Sequence, residues 1–267
     1  MRAAGLALAL ALALPLALAL RALPAAANPG CAPPGAGTFH MPPAPCFRMW
    51  AGFVAPTGRY AHGVLGDSLE WGALEAELEG RIARLVLPGT RVFEDIVPRL
   101  ADLDSDDRPE ILVVESDAAQ GARLAVYRAS FPVRIGQPRL RLVAATPFIG
   151  QRFRWLAPVG AADLDGDGRV EIAWVETPHL GRILRVGRLS GHRVTEIAAL
   201  AGLTNHRIGD TGISGGLRDC GAGPEMVLAD PGWTRLRAVR FDGRTLQARD
   251  IGPLQGPAGF DAALACR

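Results

Sequence analysis

The sequence predicts an all-β fold that is built from a repeated strand unit. An acidic loop recurs along the chain, and each copy leads directly into a short apolar run. Short segments rich in Val, Ile and Leu follow, separated by Gly, Pro and Asp, as in strands joined by turns. No sustained helical period follows the N-terminal apolar run. About four strands per repeat indicate a β-propeller of about four blades, each a four-stranded antiparallel sheet, with five blades or a partial propeller as alternatives.

The first 27 residues have the features of a secretory signal peptide. Arg2 precedes an apolar run at 6–20 that contains only Leu and Ala apart from Pro15, and three alanines at 25–27 follow. A basic start, an apolar centre and an Ala-x-Ala end are typical of an export signal. The run is about 15 residues long, whereas a membrane-spanning helix needs about 20. We therefore predict cleavage after Ala27, a periplasmic or secreted location, and no membrane span in the mature chain.

The mature chain is predicted to consist of a short leader and one large domain. Residues 28–57 are rich in Pro, Gly and Ala, and we assign residues 58–267 to the propeller. Loss of Arg2 and Arg21 with the signal peptide leaves 29 − 2 = 27 basic side chains against 27 acidic ones. A neutral chain has no electrostatic attraction for nucleic acid or an anionic membrane. The charge balance therefore predicts no nucleic-acid partner.

The four cysteines suggest two disulfides, because their number is even and the chain is predicted to be exported. We favour Cys31–Cys46 and Cys220–Cys266, since each of these pairings closes a shorter loop within one terminal region. Pairing of the N-terminal cysteines with the C-terminal ones, which would clasp the domain shut, stays open. The spacings match neither a zinc site nor a C-x-x-C redox motif.

Two copies of the acidic loop share a nine-residue frame. Asp stands at positions 1, 3 and 5 and Glu at position 9. These oxygens, with a backbone carbonyl at position 7, suit the shell of six to eight oxygens that Ca²⁺ takes. An EF-hand would need Glu at position 12, where Val113 and Trp174 stand here. The predicted side-chain ligands are Asp102, Asp104, Asp106 and Glu110 in the first loop and Asp163, Asp165, Asp167 and Glu171 in the second.

The two loops are expected to differ in affinity for Ca²⁺. The second has Gly168 at position 6, where the turn requires a positive φ, whereas the first has Asp107 there. We therefore expect tighter binding at 163–171. A third copy at 217–225 keeps only two acidic residues, Asp219 and Glu225, and we predict no ion there. The alternative for all copies is a set of solvated turns, since Asp and Gly favour turns in any case.

The motif Asp-x-Asp-x-Asp-Gly-x-x-acidic before a strand resembles the FG-GAP/VCBS repeats of integrin α-subunit heads and many secreted bacterial proteins. The resemblance covers about residues 58–255 and is strongest at 102–114 and 163–175. It implies a β-propeller with Ca²⁺ loops at the blade edges, in which the carbonyls of Arg108 and Arg169 complete the metal shells. The chain departs from the family in using Glu at the ninth position, where Asp is frequent, and in having about four repeats rather than seven.

Other candidate chemistry carries less weight. Ser214 stands in a G-x-S-x-G motif near His206 and Asp210, but no helical pattern follows it, as the nucleophile elbow of a serine hydrolase requires. The five histidines show no metal-ligand spacing, and we expect them on the surface or in loops. No catalytic residue is therefore assigned.

The predicted function is that of an exported, non-catalytic, Ca²⁺-stabilised scaffold that binds a protein or a glycan. One alternative is a hydrolase or lyase that acts on a polysaccharide or phosphoester. Another is a structural subunit of an envelope assembly. A loop that donates five or more oxygens leaves few open positions on its ion, which favours a structural role for Ca²⁺ over a catalytic one.

Overall fold

The computed structural model describes residues 25–27, 49–132 and 135–267, which form 17 β-strands and one helix. The all-β character predicted from the sequence is therefore present. The strands are β1 (Ala25–Ala27), β2 (Trp50–Thr57), β3 (Glu70–Leu78), β4 (Arg81–Val86), β5 (Arg91–Phe93), β6 (Arg99–Ala101), β7 (Glu110–Asp117), β8 (Gly121–Ser130), β9 (Arg139–Ala145), β10 (Leu156–Ala162), β11 (Glu171–Glu176), β12 (Ile183–Ser190), β13 (Arg193–Ala201), β14 (Gly216–Asp219), β15 (Pro224–Ala229), β16 (Arg235–Phe241) and β17 (Leu246–Pro253), and the helix is α1 (Pro257–Leu264).

Hydrogen bonding joins the first 13 strands into one mixed sheet, and the last four strands form a separate antiparallel sheet. The order in the large sheet is β1-β2-β3-β5-β7-β8-β9-β13-β12-β11-β10, with β4 paired to β3 and β6 paired to β7. The described strands close neither a barrel nor a ring of blades, and the arrangement resembles a sandwich. The prediction of a β-propeller is therefore wrong.

Two lateral contacts account for this difference. The short strand β5 pairs with both β3 and β7, and β13 meets β9 in a parallel bridge between Arg193 and Ala145. Hydrogen bonds thus run from one repeated unit into the next instead of ending at the edge of each unit. A count of strands per repeat cannot reveal such bridges, because they depend on only a few residue pairs.

The repeated unit itself is present as a series of antiparallel meanders. The inner strands β7 and β11 begin with a buried glutamate, β15 has one at its second residue, and each strand continues as an apolar run. Every residue of β7 is buried, as expected for a strand that is covered on both faces. In contrast, the outer strand β13 exposes most of its side chains. Each acidic loop is therefore fixed to the start of a well-buried strand.

The two sheets pack against each other through β10 and β14. Gly160 lies at this contact, where an added Cβ would come within 2.8 Å of the Leu217 side chain. Val159, Leu184 and Met226 belong to the buried cluster around the contact. The absence of a side chain at residue 160 allows the backbone of β10 to approach β14 closely.

The ordered sheet includes residues that were assigned to the leader. Strand β2 lies within the predicted segment 28–57, yet it pairs with β3 along nearly its whole length. Its Phe53 is fully buried and stacks on Phe93 at a centroid distance of 5.3 Å. The backbone of Ala25–Ala27, at the end of the predicted signal peptide, pairs with β2. Residues 1–24 lie outside the described residues.

The C-terminal region is closed by a disulfide and a short helix that was not predicted. Cys220 and Cys266 are bonded, with an S–S distance of 2.06 Å, as favoured from the sequence. The bond ties the end of β14 to the residues after α1, whose Phe260 packs against the last sheet. The favoured pairing of Cys31 with Cys46 lies outside the described residues. Among the described residues, no helix is long and apolar enough to cross a membrane.

Candidate functional site

The acidic loop at 163–171 is organised by its first aspartate. Asp163 Oδ1 accepts hydrogen bonds from the N–H groups of Gly166 at 2.8 Å and Asp167 at 3.1 Å, and its Oδ2 accepts one from Gly168 at 2.9 Å. Both glycines have positive φ angles, of 81° and 84°. The side chain thus satisfies the N–H groups of a tight turn, and the turn brings the following acidic residues to one side.

The loop at 102–110 has the same backbone path without glycine. Asp102 accepts N–H hydrogen bonds from Asp106 at 3.2 Å and Asp107 at 2.9 Å. Ser105 and Asp107 occupy the two positive-φ positions, with φ angles of 60° and 62°. A non-glycine residue in this region is strained, and Asp tolerates it better than most residues. The expectation that residue 107 adopts a positive φ is confirmed, whereas the predicted difference in affinity stays a prediction.

Three of the four predicted carboxylate ligands come together in each loop. Each of these residues places an oxygen within 4.8 Å of the other two, a spacing that can hold a metal ion. The aspartate at position 5 stands outside the group in both loops and accepts the N–H of the residue at position 7 at 2.9 Å. The grouped residues are Asp102, Asp104 and Glu110 in the first loop and Asp163, Asp165 and Glu171 in the second.

The glutamate at position 9 is the buried member of each group. Glu110 and Glu171 are both fully buried, and each accepts the N–H of the residue at position 2, Leu103 at 3.0 Å and Leu164 at 2.7 Å. These bonds fasten the loop to the strand that follows it. One carboxyl oxygen, Oε2, is thereby occupied, and the other, Oε1, contacts an arginine from the neighbouring strand.

An arginine from the neighbouring strand reaches into each loop. In the second loop Arg188 Nη2 lies 2.9 Å from a carboxyl oxygen of both Asp165 and Asp167, and its Nε contacts Glu171. Arg128 contacts Asp104 and Glu110 in the same way. Neither arginine was predicted as part of the site. A signal was available, because Arg188 is the direct cross-strand partner of Glu171 and strand pairing places such residues side by side.

One guanidinium does not balance the carboxylates of its loop. Burial raises the pKa of Glu171 above its usual range, and the charge of Asp165 adds to this, while hydrogen bonds from Leu164 and Arg188 oppose it. Burial likewise raises the pKa of Glu110. In both loops the buried glutamate resists ionisation even with an arginine beside it. In each loop the grouped carboxylates outnumber the guanidinium beside them, and their spacing could in principle hold a metal ion.

The third copy of the loop has the opposite charge balance. Glu225, which is 1% exposed, contacts three arginines: Arg218, Arg240 and Arg249. Asp219 Oδ1 accepts hydrogen bonds from the N–H groups of residues 221 and 223. Burial raises the pKa of Glu225, but hydrogen bonds and charge from Arg218 and Arg249 outweigh it and hold that pKa below its usual range.

A second group of polar residues lies buried between the repeats. Glu94 is fully buried, its carboxylate lies 2.5 Å from His62 Nδ1, and it also accepts a hydrogen bond from the Ser116 hydroxyl. Burial, with the charge of Glu94, raises the pKa of Tyr60 to about 12. Burial and three nearby carboxylates raise the pKa of Glu70 to about 9. Shifts of this size are frequent at functional sites, although structural networks cause them too.

Two histidines adjoin this group, and both lie in loops, as the sequence predicted. His206 is 1% exposed, and its Nδ1 lies 2.9 Å from Nε2 of His179. Its Nε2 lies 2.9 Å from the carbonyl oxygen of Asp210, which can only accept, so Nε2 carries the hydrogen. Burial lowers the pKa of His179 to about 4. Burial also lowers the pKa of His206, so both imidazoles are neutral near pH 7.

Ser214 is not assembled with a base. Both ring nitrogens of His206 are engaged elsewhere, and the Ser214 N–H donates to the carbonyl oxygen of Asn205 at 2.8 Å. The serine precedes strand β14 instead of a helix. The described geometry therefore lacks the serine–histidine contact of a hydrolase triad.

Comparison of the sequence with models of known protein families and with curated proteins finds no match. The resemblance to FG-GAP/VCBS repeats therefore stays a prediction that depends on the acidic loops alone.

Proposed function

We propose that this chain is an exported, non-catalytic binding protein whose sheets are stabilised by Ca²⁺ in the two acidic loops. The observation that supports this most directly is the matching pair of carboxylate groups at the heads of β7 and β11. Hard divalent cations prefer oxygen ligands, and the flexible shell of Ca²⁺ suits carboxylates that are combined with backbone carbonyls. Because the same arrangement occurs twice, a chance acidic turn is a poor explanation.

The electrostatics of the second loop support a cation in addition to Arg188. Asp163, Asp165, Asp167 and Glu171 bring four carboxylates to a turn into which one guanidinium reaches. Like charges at this spacing repel one another and disfavour ionisation. A bound Ca²⁺ would compensate two of the remaining negative charges. It would also compete with Arg188 for Asp165.

Calcium titration calorimetry on protein stripped with chelator tests the proposal. We expect wild-type protein to bind Ca²⁺ and Asp165→Ala to lose the tighter site. Arg188→Gln should tighten binding, because the competing guanidinium is removed. Asp219→Ala is the matched control, since it changes an aspartate of the third loop and should leave the titration unchanged. Absence of saturable heat in the wild-type protein would contradict the proposal.

Export is supported by the Cys220–Cys266 disulfide, because structural disulfides persist in oxidising compartments. The predicted leader adds to this argument. Cell fractionation followed by intact-mass measurement tests it. We expect the protein in the periplasm or the medium with Asn28 as its first residue, whereas a cytoplasmic protein that retains its leader would contradict export.

The proposed partner is a protein or a glycan, and the proposed role is non-catalytic because Ser214 lacks an assembled base. Capture experiments with the calcium-loaded protein against an array of defined polysaccharides and against periplasmic extract would test this role. Binding that survives extensive washing and is lost on unfolding is the expected result. If neither source yields a partner, the binding role is wrong.

A second candidate function is a hydrolase or lyase, and the His62–Glu94 contact is the observation that favours it. A carboxylate on Nδ1 orients an imidazole and leaves Nε2 for proton transfer, and Tyr60 lies beside this pair. Polysaccharide and phosphoester substrates assayed with wild-type protein and His62→Gln would distinguish the two functions. Turnover that disappears in the variant would favour the enzyme over the binding protein.

A further inference from the structure

The C-terminal region contains a cavity of about 450 Å³ between β14, β16, β17 and α1. Three of its lining residues are arginines, Arg218, Arg249 and Arg267, and no Asp or Glu side chain lines it. Its volume falls in the range of small-molecule sites, roughly 300–1,000 Å³. The remaining wall is partly apolar and includes Leu236, Ile251 and Pro253. The cavity therefore combines a cationic side with an apolar surface.

The positive charge at this cavity exceeds its internal compensation. Glu225 is the carboxylate that the arginines share, and it faces Arg218, Arg240 and Arg249 together. Arg240 does not line the cavity, and the lining arginines Arg218 and Arg249 share this one carboxylate, so one positive charge of the pair is not matched by it. The lowered pKa of Glu225 agrees with a cationic surrounding.

Arg218 and Arg249 differ in their burial and in their hydrogen bonds. Arg218 has a side chain only 8% exposed, and it is fixed by Glu225 at 2.7 Å and by the carbonyl oxygen of Ala263 at 2.6 Å. Arg249 reaches both oxygens of Glu225 through Nη2 alone, at 2.8 and 2.9 Å, and its side chain is 55% exposed. Within the part of the chain that the structure describes, no acceptor contacts its Nε or Nη1. Arg249 therefore presents donors to the cavity, while Arg218 supplies buried charge.

The cavity wall is also held in place covalently. Both Cys220 and Cys266 line the cavity, and their disulfide fixes the α1 side to the end of β14. A binding site needs such fixed walls, because a preorganised site loses less entropy when its ligand binds.

We propose that this cavity binds a small ligand through an oxyanion, namely a carboxylate, sulfate or phosphate group that lies against Arg249 with Arg218 behind it. Guanidinium groups match these planar or tetrahedral oxygens through paired N–H donors. The apolar wall at Leu236 and Ile251 would contact the body of the ligand. This site is independent of Ca²⁺ and lies outside the proposed metal loops.

Titration calorimetry in chelator tests the site, with inorganic phosphate, inorganic sulfate and a uronic acid as separate probes. We expect the wild-type protein to bind at least one probe saturably. Arg249→Gln should bind that probe about tenfold more weakly, because the variant loses a charged hydrogen bond to it. Arg235→Gln is the matched control, because Arg235 pairs with Asp250 and does not line the cavity. The affinity of Arg235→Gln for the probe should stay within about twofold of the wild-type affinity.

The three probes also identify the source of the oxyanion, since uronate alone would indicate an acidic glycan and phosphate alone a phosphorylated ligand. Arg249 is more than half exposed, so the variant is expected to fold, which its melting curve will check. Absence of saturable binding for all three probes, or equal affinity of Arg249→Gln and wild type, would overturn the proposal. Because chelator is present throughout, failure here leaves the calcium proposal unaffected.

Discussion

The acidic loop before β11 and the corresponding loop before β15 share one buried glutamate–arginine pair and differ in everything around it. Glu171 pairs with Arg188 across β11 and β12, and Glu225 contacts Arg240 from β16 in the equivalent way. Two more carboxylates, of Asp163 and Asp165, gather around Glu171, whereas two more arginines gather around Glu225. The same strand geometry therefore supports a negative site in one place and a positive site in the other.

This difference separates the part of the repeat that the two copies share from the part that sets its local charge. In both copies the buried pair joins the strand after the loop to the next strand of the sheet. Under the two proposals, the surrounding residues determine the sign of the charge that an added ligand carries. The pKa shifts agree, since that of Glu171 is raised by burial and that of Glu225 is held down by its arginines.

The largest expected effect is the loss of the shared carboxylate in the positive copy. Glu225→Gln should lower the free energy of unfolding by about 3–5 kcal/mol, since it leaves buried Arg218 without its counter-ion. Glu171→Gln should cost less, because it also relieves repulsion among the neighbouring aspartates. Urea unfolding of both variants at pH 7 in chelator measures the difference. An equal or reversed order would show that the surrounding charges do not matter.

The stability that the wild type loses on substitution should change with pH in opposite directions for Glu225→Gln and Glu171→Gln. The pKa of Glu225 lies below its usual 4.5, so its stabilising contribution is present above that pH and is lost as the pH falls through the folded value. The pKa of Glu171 lies above 4.5, so its contribution is present below that pH and is lost as the pH rises through the folded value.

Urea unfolding between pH 3 and pH 7 in chelator measures this contrast, because this pH range includes the ordinary pKa of a carboxyl group. The gap between wild type and Glu225→Gln should shrink in acid. The gap between wild type and Glu171→Gln should shrink toward neutral pH. Parallel curves for the two variants would contradict the assigned charge environments.

A smaller effect is expected at the positive-φ position of the two acidic loops. Gly168→Ala should destabilise the protein by about 1 kcal/mol, because alanine is strained at the φ of 84° found there. No neighbouring atom lies within 4 Å of the added Cβ, so contacts would neither add to this cost nor offset it. Asp107→Gly should stabilise by roughly half as much, since aspartate tolerates a φ of 62° only in part. Thermal melts in chelator measure both. If Gly168→Ala is neutral, the turn conformation does not limit the loop.

The sequence predicted those features of the structure that depend on residues close together along the chain. The aspartate frames at 102–110 and 163–171 predicted turns with positive φ, and apolar runs such as Ile111–Val114 predicted buried strands. Turn chemistry and strand alternation act within a few residues, so they leave a readable pattern. The Cys220–Cys266 pairing was also favoured, because it closes the shorter loop.

What the sequence did not predict depends on contacts between distant segments. The bridge from β5 to β3 rests on a single pair, Trp71 and Phe93, and it helps to merge the predicted blades into one sheet. The cluster of His62, Glu94 and Ser116 draws on three separate segments with no common spacing. Side chains that meet only through tertiary packing leave no periodic trace in the sequence.

The most direct test of the account is the melting temperature of the wild-type protein in chelator and in excess Ca²⁺. An ion that binds only the folded state at about 100 times its Kd should add roughly 2.7 kcal/mol of stability and raise the melting temperature. Asp165→Ala should lose most of that rise, whereas Asp219→Ala should keep it. Identical melting of the wild type with chelator and with Ca²⁺ would contradict the assignment of the acidic loops as metal sites.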